Sequence, residues 1–92
     1  MKMIKTIVTL SGKDTIGIIA KVCTYFAEND INILDIAQTT VKDVINMVMI
    51  VDIGTSGKSF DTIRADMEGL SKKVRCIVTA VRYDELSSIS VE

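Results

Sequence analysis

The sequence predicts an α+β fold whose elements follow the order βαββαβ. Three observations support this prediction. Four segments alternate apolar and polar residues, as half-buried strands do. Two other segments repeat apolar residues at helical spacing, as amphipathic helices do. The hydrophobic share of 48% over 92 residues is enough for one packed core. We therefore expect a single domain over residues 1–84, followed by a polar tail over residues 85–92.

The first strand and the first helix flank a glycine-bounded segment, Gly12–Gly17 (GKDTIG). The β-branched residues of Met3–Leu10 predict the strand. A helical pattern then runs to about Glu28, and Asp14 is the predicted N-cap because its carboxylate can accept from the first helical N–H groups. The predicted buried stripe of this helix comprises Ile16, Ile19, Ala20, Cys23, Phe26 and Ala27.

The middle of the chain predicts a β-hairpin. Asn29 and Asp30 indicate the end of the first helix and a turn. Asn32–Val41 is the predicted second strand, and Lys42 and Asp43 form the hairpin turn. The third strand spans residues 45–53, and by the period of two one of its faces carries Ile45, Met47, Met49, Val51 and Ile53.

The last third of the chain predicts a second helix and a fourth strand. Gly54–Gly57 indicates a flexible loop, and Ser59 is the predicted N-cap of the helix. Val74–Tyr83 predicts the strand. With right-handed crossovers, these elements give a ferredoxin-like βαββαβ fold, a four-stranded antiparallel sheet with two helices on one face. The predicted buried stripe of the second helix comprises Phe60, Ile63, Met67 and Leu70.

Two sets of apolar residues remain outside this predicted core. If the third strand turns its methionines toward the helices, Val48 and Ile50 lie on the open face of the sheet. The first helix has a second apolar line, formed by Ile18, Val22 and Tyr25. This excess of apolar surface predicts a homodimer.

Composition and charge exclude several classes of protein. A net charge of −1 and a pI of about 5.4 provide no basic field that would recruit nucleic acid or an anionic membrane. No apolar run is long enough to span a bilayer. Cys23 and Cys76 lie far apart, in no metal or redox spacing, so we expect no metal and no cofactor. Each falls on an apolar stripe, so we expect two buried, reduced thiols. These features favour a cytoplasmic protein.

Residues suited to catalysis are scarce. The sequence contains no histidine, the commonest general base, and no nucleophile–base pair can be placed in it. The first and third strands lack aromatic residues on which RNA bases would stack. The first strand–helix segment has neither the paired cysteines of a metal chaperone nor the arginine of an acylphosphatase-like site. We therefore expect no enzyme activity.

The glycine-bounded segment is the clearest functional feature of the chain. It would expose the unpaired N–H groups at the start of the first helix. The positive end of the helix dipole favours a small anionic or polar ligand there. Simpler interpretations exist for two residues: Asp14 as an N-cap alone, and Asn32 as a turn residue alone.

Two motifs, Gly12-x-Asp14-x-x-Gly17-Ile18-Ile19 and Asn32-Ile33-Leu34-Asp35, together resemble those of the ACT domain. The resemblance covers residues 3 to about 83 and extends to stand-alone ACT domains and to the ACT modules of the glycine cleavage system transcriptional repressor. It implies a regulatory module that binds a small molecule, often an amino acid, at a dimer interface. By position, the implied ligand-binding residues are Gly12, Asp14, Thr15, Ile16, Gly17, Asn32, Ile33 and Leu34.

Two functions remain open from the sequence. Asp14 stands where many amino-acid-binding members of the family carry an amide, and its carboxylate would accept from a ligand ammonium. The same carboxylate would repel a ligand carboxylate, so this position departs from the family pattern. The first function is a ligand-sensing homodimer. The alternative is a protein-interaction module that uses the same surface to join an enzyme or a regulator and binds no metabolite. An amino acid that raises the melting temperature would favour the first function, because only a native-state ligand does so.

Overall fold

The computed structural model of the chain describes residues 3–13, 16–74 and 76–84. The predicted order βαββαβ is confirmed, and residues 85–92, the predicted tail, lie outside the described chain. The elements are β1 (Lys5–Lys13), α1 (Ile16–Glu28), β2 (Asn32–Val41), β3 (Val44–Asp52), α2 (Phe60–Val74) and β4 (Ile77–Arg82).

The four strands form one antiparallel sheet in the order β2-β3-β1-β4. β1 lies in the middle, between β3 and β4, whereas β2 lies at an edge. Buried residues of both helices and of one sheet face belong to the same apolar cluster, so both helices cover that face. The ferredoxin-like fold predicted from the sequence is confirmed.

The core is aliphatic and lies between the helices and one face of the sheet. The period of two along β1 and β3 directs Val8, Leu10 and Met49 toward the helices, where each is at most 1% exposed. Ile63 and Met67 of α2 are fully buried against them. Burial of side chains of this size contributes about 1.5–3 kcal/mol each, so this interface holds the two layers together.

α1 is rotated relative to the prediction. Ile18, Val22 and Phe26 are buried, whereas Cys23 and Ala20 are exposed. This orientation buries the β-branched Ile18 and Val22 and leaves the smaller Ala20 and Cys23 outside. It removes more apolar surface from water than the predicted orientation would. The prediction that Cys23 is buried was therefore wrong. Ile18 and Val22 also provide no dimer surface, because they belong to the core.

β1 is longer than predicted. It continues to Lys13 rather than ending at Leu10, because Gly12 pairs with Ile45 and Lys13 pairs with Val44 on β3. The ladder to β3 therefore extends into the segment that the sequence assigned to a turn. The prediction that Gly12 opens this turn was wrong, because Gly12 lies inside the strand.

The boundary between α2 and β4 also differs from the prediction. α2 continues to Val74, which the sequence assigned to the last strand, and β4 begins at Ile77. Lys72 and Lys73 in the last turn suit the negative end of the helix dipole. Lysine is favourable in a helix, so Lys72 and Lys73 allow α2 to continue to Val74, the first residue of the β-branched pattern.

Other predicted turns and caps are confirmed. Asp30, with a left-handed φ of 57°, follows α1, and Lys42, with a φ of 56°, turns β2 into β3. Neither residue is β-branched, so this conformation is tolerated. The Thr62 N–H donates to the Ser59 hydroxyl oxygen at 3.2 Å, as expected for the N-cap of α2.

Asp52 ties the start of β1 to the end of β3. Its Oδ1 accepts from the Ile4 N–H at 2.9 Å and from the Gly54 N–H at 2.8 Å. These two donors hold the pKa of the Asp52 carboxyl below its ordinary value. The chain end that precedes β1 is thereby fixed beside the neighbouring strand.

Thr6 is a polar residue in the apolar core. Its side chain is fully buried on the same face of β1 as Val8, and within the described chain its hydroxyl has no hydrogen-bond partner. A buried hydroxyl without a partner costs about 1–3 kcal/mol. The core therefore contains one local conflict between polarity and burial.

Replacing Thr6 by Val removes this hydroxyl and keeps the shape of the side chain. We expect Thr6→Val to raise the free energy of unfolding by about 1 kcal/mol, measured by urea denaturation. Thr9→Val is the matched control, because the Thr9 hydroxyl is hydrogen-bonded to that of Thr79 on the open face. The control should be neutral or destabilising. A less stable Thr6→Val protein would contradict the interpretation.

Candidate functional site

The predicted site begins where β1 passes into α1. Gly12 and Lys13 are the last described residues of the strand, and Ile16 and Gly17 begin the helix. Asp14 and Thr15 lie outside the described residues, as does the side chain of Ile16. The connection between β1 and α1 is shorter than the predicted segment Gly12–Gly17, because Gly12 and Lys13 belong to the sheet.

Gly12 is explained by packing. A Cβ at this position would lie 2.5 Å from the Sγ of Cys76 and 3.1 Å from its Cβ. Cys76 is buried, 64 positions further along the chain, and occupies the space that a side chain at position 12 would need. The absence of a side chain at Gly12 thus allows β1 to approach the segment before β4.

Gly17 lies in a different environment. It is exposed in the first turn of α1, and no described atom outside its own helix backbone lies within 4 Å of a Cβ built there. The first turn of α1 contains no acidic residue. The helix surface at Gly17 is therefore open within the described chain, and no carboxylate of the first turn offsets the positive end of the helix dipole.

Lys13 is the cation nearest in sequence to this helix end. Its Nζ lies 3.6 Å from the Oδ2 of Asp43 in the hairpin, and both side chains are exposed. An exposed pair of this kind is worth little and rearranges easily. The first arginine of the chain is Arg64, so the segment provides no bidentate clamp for a phosphate.

The second half of the predicted site, Asn32–Leu34, lies at the opposite end of the sheet. Asn32 pairs with Asp52, which in turn pairs with Lys5. Gly12 is seven residues further along β1, a separation of about 23 Å along an extended strand. One copy of the chain therefore does not bring the two halves of the predicted site together.

β2 is an open edge of the sheet. All ten of its residues are exposed, and Asp35 is its single charged residue. Ile33, Leu34 and Ile36 expose large apolar side chains. The register with β3 shifts between Ile33 and Asp35, which leaves Leu34 as a bulge, and pairing is regular from there to Val41. A long, apolar edge with unpaired backbone groups is a template for another strand.

A polar cluster between the helices has no counterpart in the sequence predictions. The Tyr25 hydroxyl donates to the Asp66 carboxylate, and the Lys58 Nζ lies 3.1 Å from that carboxylate and 5.0 Å from the Tyr25 ring centre. Hydrogen bonding from Tyr25 and the Lys58 ammonium lower the pKa of Asp66, against its partial desolvation. Burial, then Asp66, raise the pKa of Tyr25. The hydrogen bond between Tyr25 and Asp66 joins α1 to α2.

The surface hollows lie away from the predicted site. One hollow of about 560 Å³ is lined by Lys5, Tyr83 and neighbouring residues. Its lining includes Met3 and Asp84, which border stretches of the chain that are not described, so its shape defines no site. A second hollow of about 320 Å³ lies between the helices and includes Lys21, Glu28 and Lys73. Neither contains a predicted ligand-binding residue.

Metal ligands and membrane spans were also sought in the described parts of the chain. Over residues 3–13, 16–74 and 76–84, no three His, Cys, Asp or Glu residues are grouped as a metal site requires. In the same ranges, no helix has the length and apolar character needed to cross a membrane. The cysteines are free, with Cys23 exposed and Cys76 buried.

Comparisons with known proteins give consistent results. A family model described as the ACT domain matches residues 6–71. A UPF0237 protein of Bifidobacterium longum is 42% identical over 78 residues, which cover 80% of this chain and 87% of that protein. Among solved structures, an ACT domain protein from Streptococcus pneumoniae has a TM-score of 0.77 and 25% identity, and the match covers 99% of both chains.

A further structural match is a proposed glycine cleavage system transcriptional repressor. Its TM-score is 0.70 at 15% identity, and the match covers 89% of this chain and 49% of the repressor. Identity this low shows the shared fold alone. Both halves of the predicted site, at Gly12–Gly17 and Asn32–Leu34, fall within the range matched by the family model.

The two glycines of the segment should respond in opposite ways to substitution. Gly12→Ala places a methyl group against the Cys76 Sγ, so we expect it to lower the free energy of unfolding by about 1–3 kcal/mol. Gly17→Ala meets open space and replaces a helical glycine, so we expect a gain of up to about 1 kcal/mol. Denaturant unfolding of both variants measures the contrast.

A double-mutant cycle isolates the cause of the Gly12 effect. Cys76→Ala removes the Sγ, so Gly12→Ala should cost less in that background than in the wild type. Equal costs in the two backgrounds would show that the contact with Cys76 is not the reason for glycine at position 12.

Proposed function

The chain belongs to the ACT domain family, and we propose that it is a regulatory module that binds an amino acid between two copies of itself. Members of this family are generally regulatory, ligand-binding modules. The observation that carries the proposal is the separation of the two halves of the site. Gly12, where β1 leads toward α1, and Asn32 lie at opposite ends of the sheet, so a second copy would bring the two halves together.

The edge formed by β2 is the surface that we propose for pairing. It is ten residues long, apolar and exposed throughout, as an edge that accepts another strand should be. The other edge, β4, is six residues long and packs against α2. It ends at Arg82, which lies 4.0 Å from Asp61. Short edges that carry a charge resist pairing.

Antiparallel pairing of two β2 strands would complete the site. A twofold axis perpendicular to the sheet keeps the helices of both copies on the same side and joins the two sheets into one of eight strands. The start of β2 in one copy then lies beside the end of β2 in the other. That end is next to the hairpin, Gly12 and the start of α1. The pair would thus contain two equivalent sites, and each copy would contribute one half of each site.

The groups at such a site suit a zwitterionic amino acid. The N–H groups of Ile16 and Gly17 at the start of α1 would receive the ligand carboxylate. Asp14 would accept from the ammonium, and Asn32 of the second copy would donate to or accept from the ligand. A phosphate fits less well, because Lys13 is a mobile point charge and no arginine precedes Arg64.

We further propose that the module has no catalysis of its own and works in the cytoplasm. Tyr25, its best-placed hydroxyl, is held neutral by burial and by Asp66. Its cysteines are free, as a reducing compartment favours. The module would comprise residues 1–84, with residues 85–92 as a tail. The second candidate function is a protein-interaction module without a metabolite, since the apolar β2 edge also suits a strand from another protein.

Calorimetric titration with each common amino acid tests the proposal. We expect one of them to bind, and Asn32→Ala to weaken its binding by about 1–3 kcal/mol through the loss of a polar partner. Gly17→Val should abolish binding by filling the approach to the helix N–H groups. Gly69→Val is the matched control, because Gly69 is a helical glycine of α2 with equally open surroundings.

Sedimentation of the same samples should show no species smaller than two copies of the 10.1 kDa chain. If no amino acid binds below millimolar concentration while the protein remains paired, the interaction module takes the place of the sensor. A monomeric protein would contradict the sensor, whereas the interaction module, which joins another protein through the β2 edge, does not require pairing.

A further inference from the structure

The helix-free face of the sheet is uncharged across its centre. The registers of the four strands place Lys5, Lys13, Asp35 and Asp52 on this face, and all four lie toward its ends or its edge. Charged residues make up 25% of the chain. If they were spread evenly over it, the centre of this face would carry about three of them. Instead it carries Ile, Val, Ala, Thr, Ser and Asn side chains on all four strands.

Four polar side chains of this face are already paired with one another. The Ser11 hydroxyl donates to the Asn46 Oδ1 at 2.8 Å, and the hydroxyls of Thr9 and Thr79 are hydrogen-bonded. Covering the face with an apolar surface would therefore leave few polar groups without a partner. Three large apolar side chains are exposed on it, Val41 at 62%, Val48 at 46% and Ile77 at 65%. Their burial would be favourable.

The area of the face indicates what would cover it. Four strands of about six residues present roughly 400 Å², at a strand spacing of about 4.8 Å and a rise of about 3.3 Å per residue. A stable interface needs about 800 Å² per partner. One copy falls short of that area, whereas two copies joined through β2 present a continuous face of about 800 Å².

We propose that two β2-joined pairs pack through these faces, sheet on sheet, to form a four-copy assembly. The inference rests on the β2 pairing proposed above. A twofold axis within the interface brings the face against itself, so any charge in its centre would meet a like charge. The uncharged centre of this face removes that repulsion. A face without charge also offers nothing to steer a differently charged partner, which favours a second copy of the same surface.

Sedimentation equilibrium and native mass spectrometry of three proteins test this assembly. The wild type is expected at four times the 10.1 kDa chain mass. Val48→Lys, which places a charge in the centre of the face, should halve that mass and leave amino-acid binding unchanged. Ala27→Lys adds the same charge on an exposed position of α1 and should leave four copies intact. Ile77→Lys serves as a second face variant if Val48→Lys does not fold.

The outcomes separate this inference from the proposed function. A wild type of two copies whose mass Val48→Lys does not change overturns the four-copy assembly alone and leaves the face to another partner. Four copies that persist in both face variants overturn the assignment of this face. A fall from four copies to one would overturn the two-step arrangement, including pairing through β2. A monomeric wild type overturns the proposed site as well.

Discussion

The register between β1 and β3 is the constraint on which the rest of the structure depends. Nine consecutive pairs, from Lys5 with Asp52 to Lys13 with Val44, fix which side chains face the helices. A shift of one residue would turn the inward side chains of one of the two strands, those of Val8 or those of Met49, to the open side and destroy the core. The same register carries Gly12 into the sheet against Cys76 and leaves the opposite face without charge at its centre.

The sequence predicted the element order, the fold and the inward face of β3, because each follows from local periodicity and turn residues. It did not predict the rotation of α1. Two apolar lines on that helix are equivalent locally, and only packing on the sheet selects the one that contains Ile18 and Val22. The contacts of Gly12 with Cys76 and of Tyr25 with Asp66 join residues 64 and 41 positions apart, so no local pattern reveals them.

The candidate site shows the same division between local pattern and long-range structure. The family resemblance selects Gly12–Gly17 and Asn32–Leu34, whereas their separation depends on the strand registers, which place Asn32 level with Lys5 and Gly12 at the other end of the sheet. In the proposed sensor, binding is therefore linked to assembly. A ligand held by both copies stabilises the pair by mass action, and weakening the β2 edge lowers the apparent affinity for the ligand. The open face lies on the side of the sheet opposite the helices, so substitutions on it can be made without changing the β2 edge.

Amide hydrogen exchange along β2 tests the central claim most directly, because it reads the edge of the sheet residue by residue in the assembled protein. If two copies join through β2, the amides of residues 35–41 that point away from β3 exchange as slowly as those of β3. The outward amides of β4, the other edge, exchange rapidly. Fast exchange of the outward β2 amides at a concentration where sedimentation shows two or more copies would contradict the account. It would place the interface, and with it the second half of the site, elsewhere on the molecule.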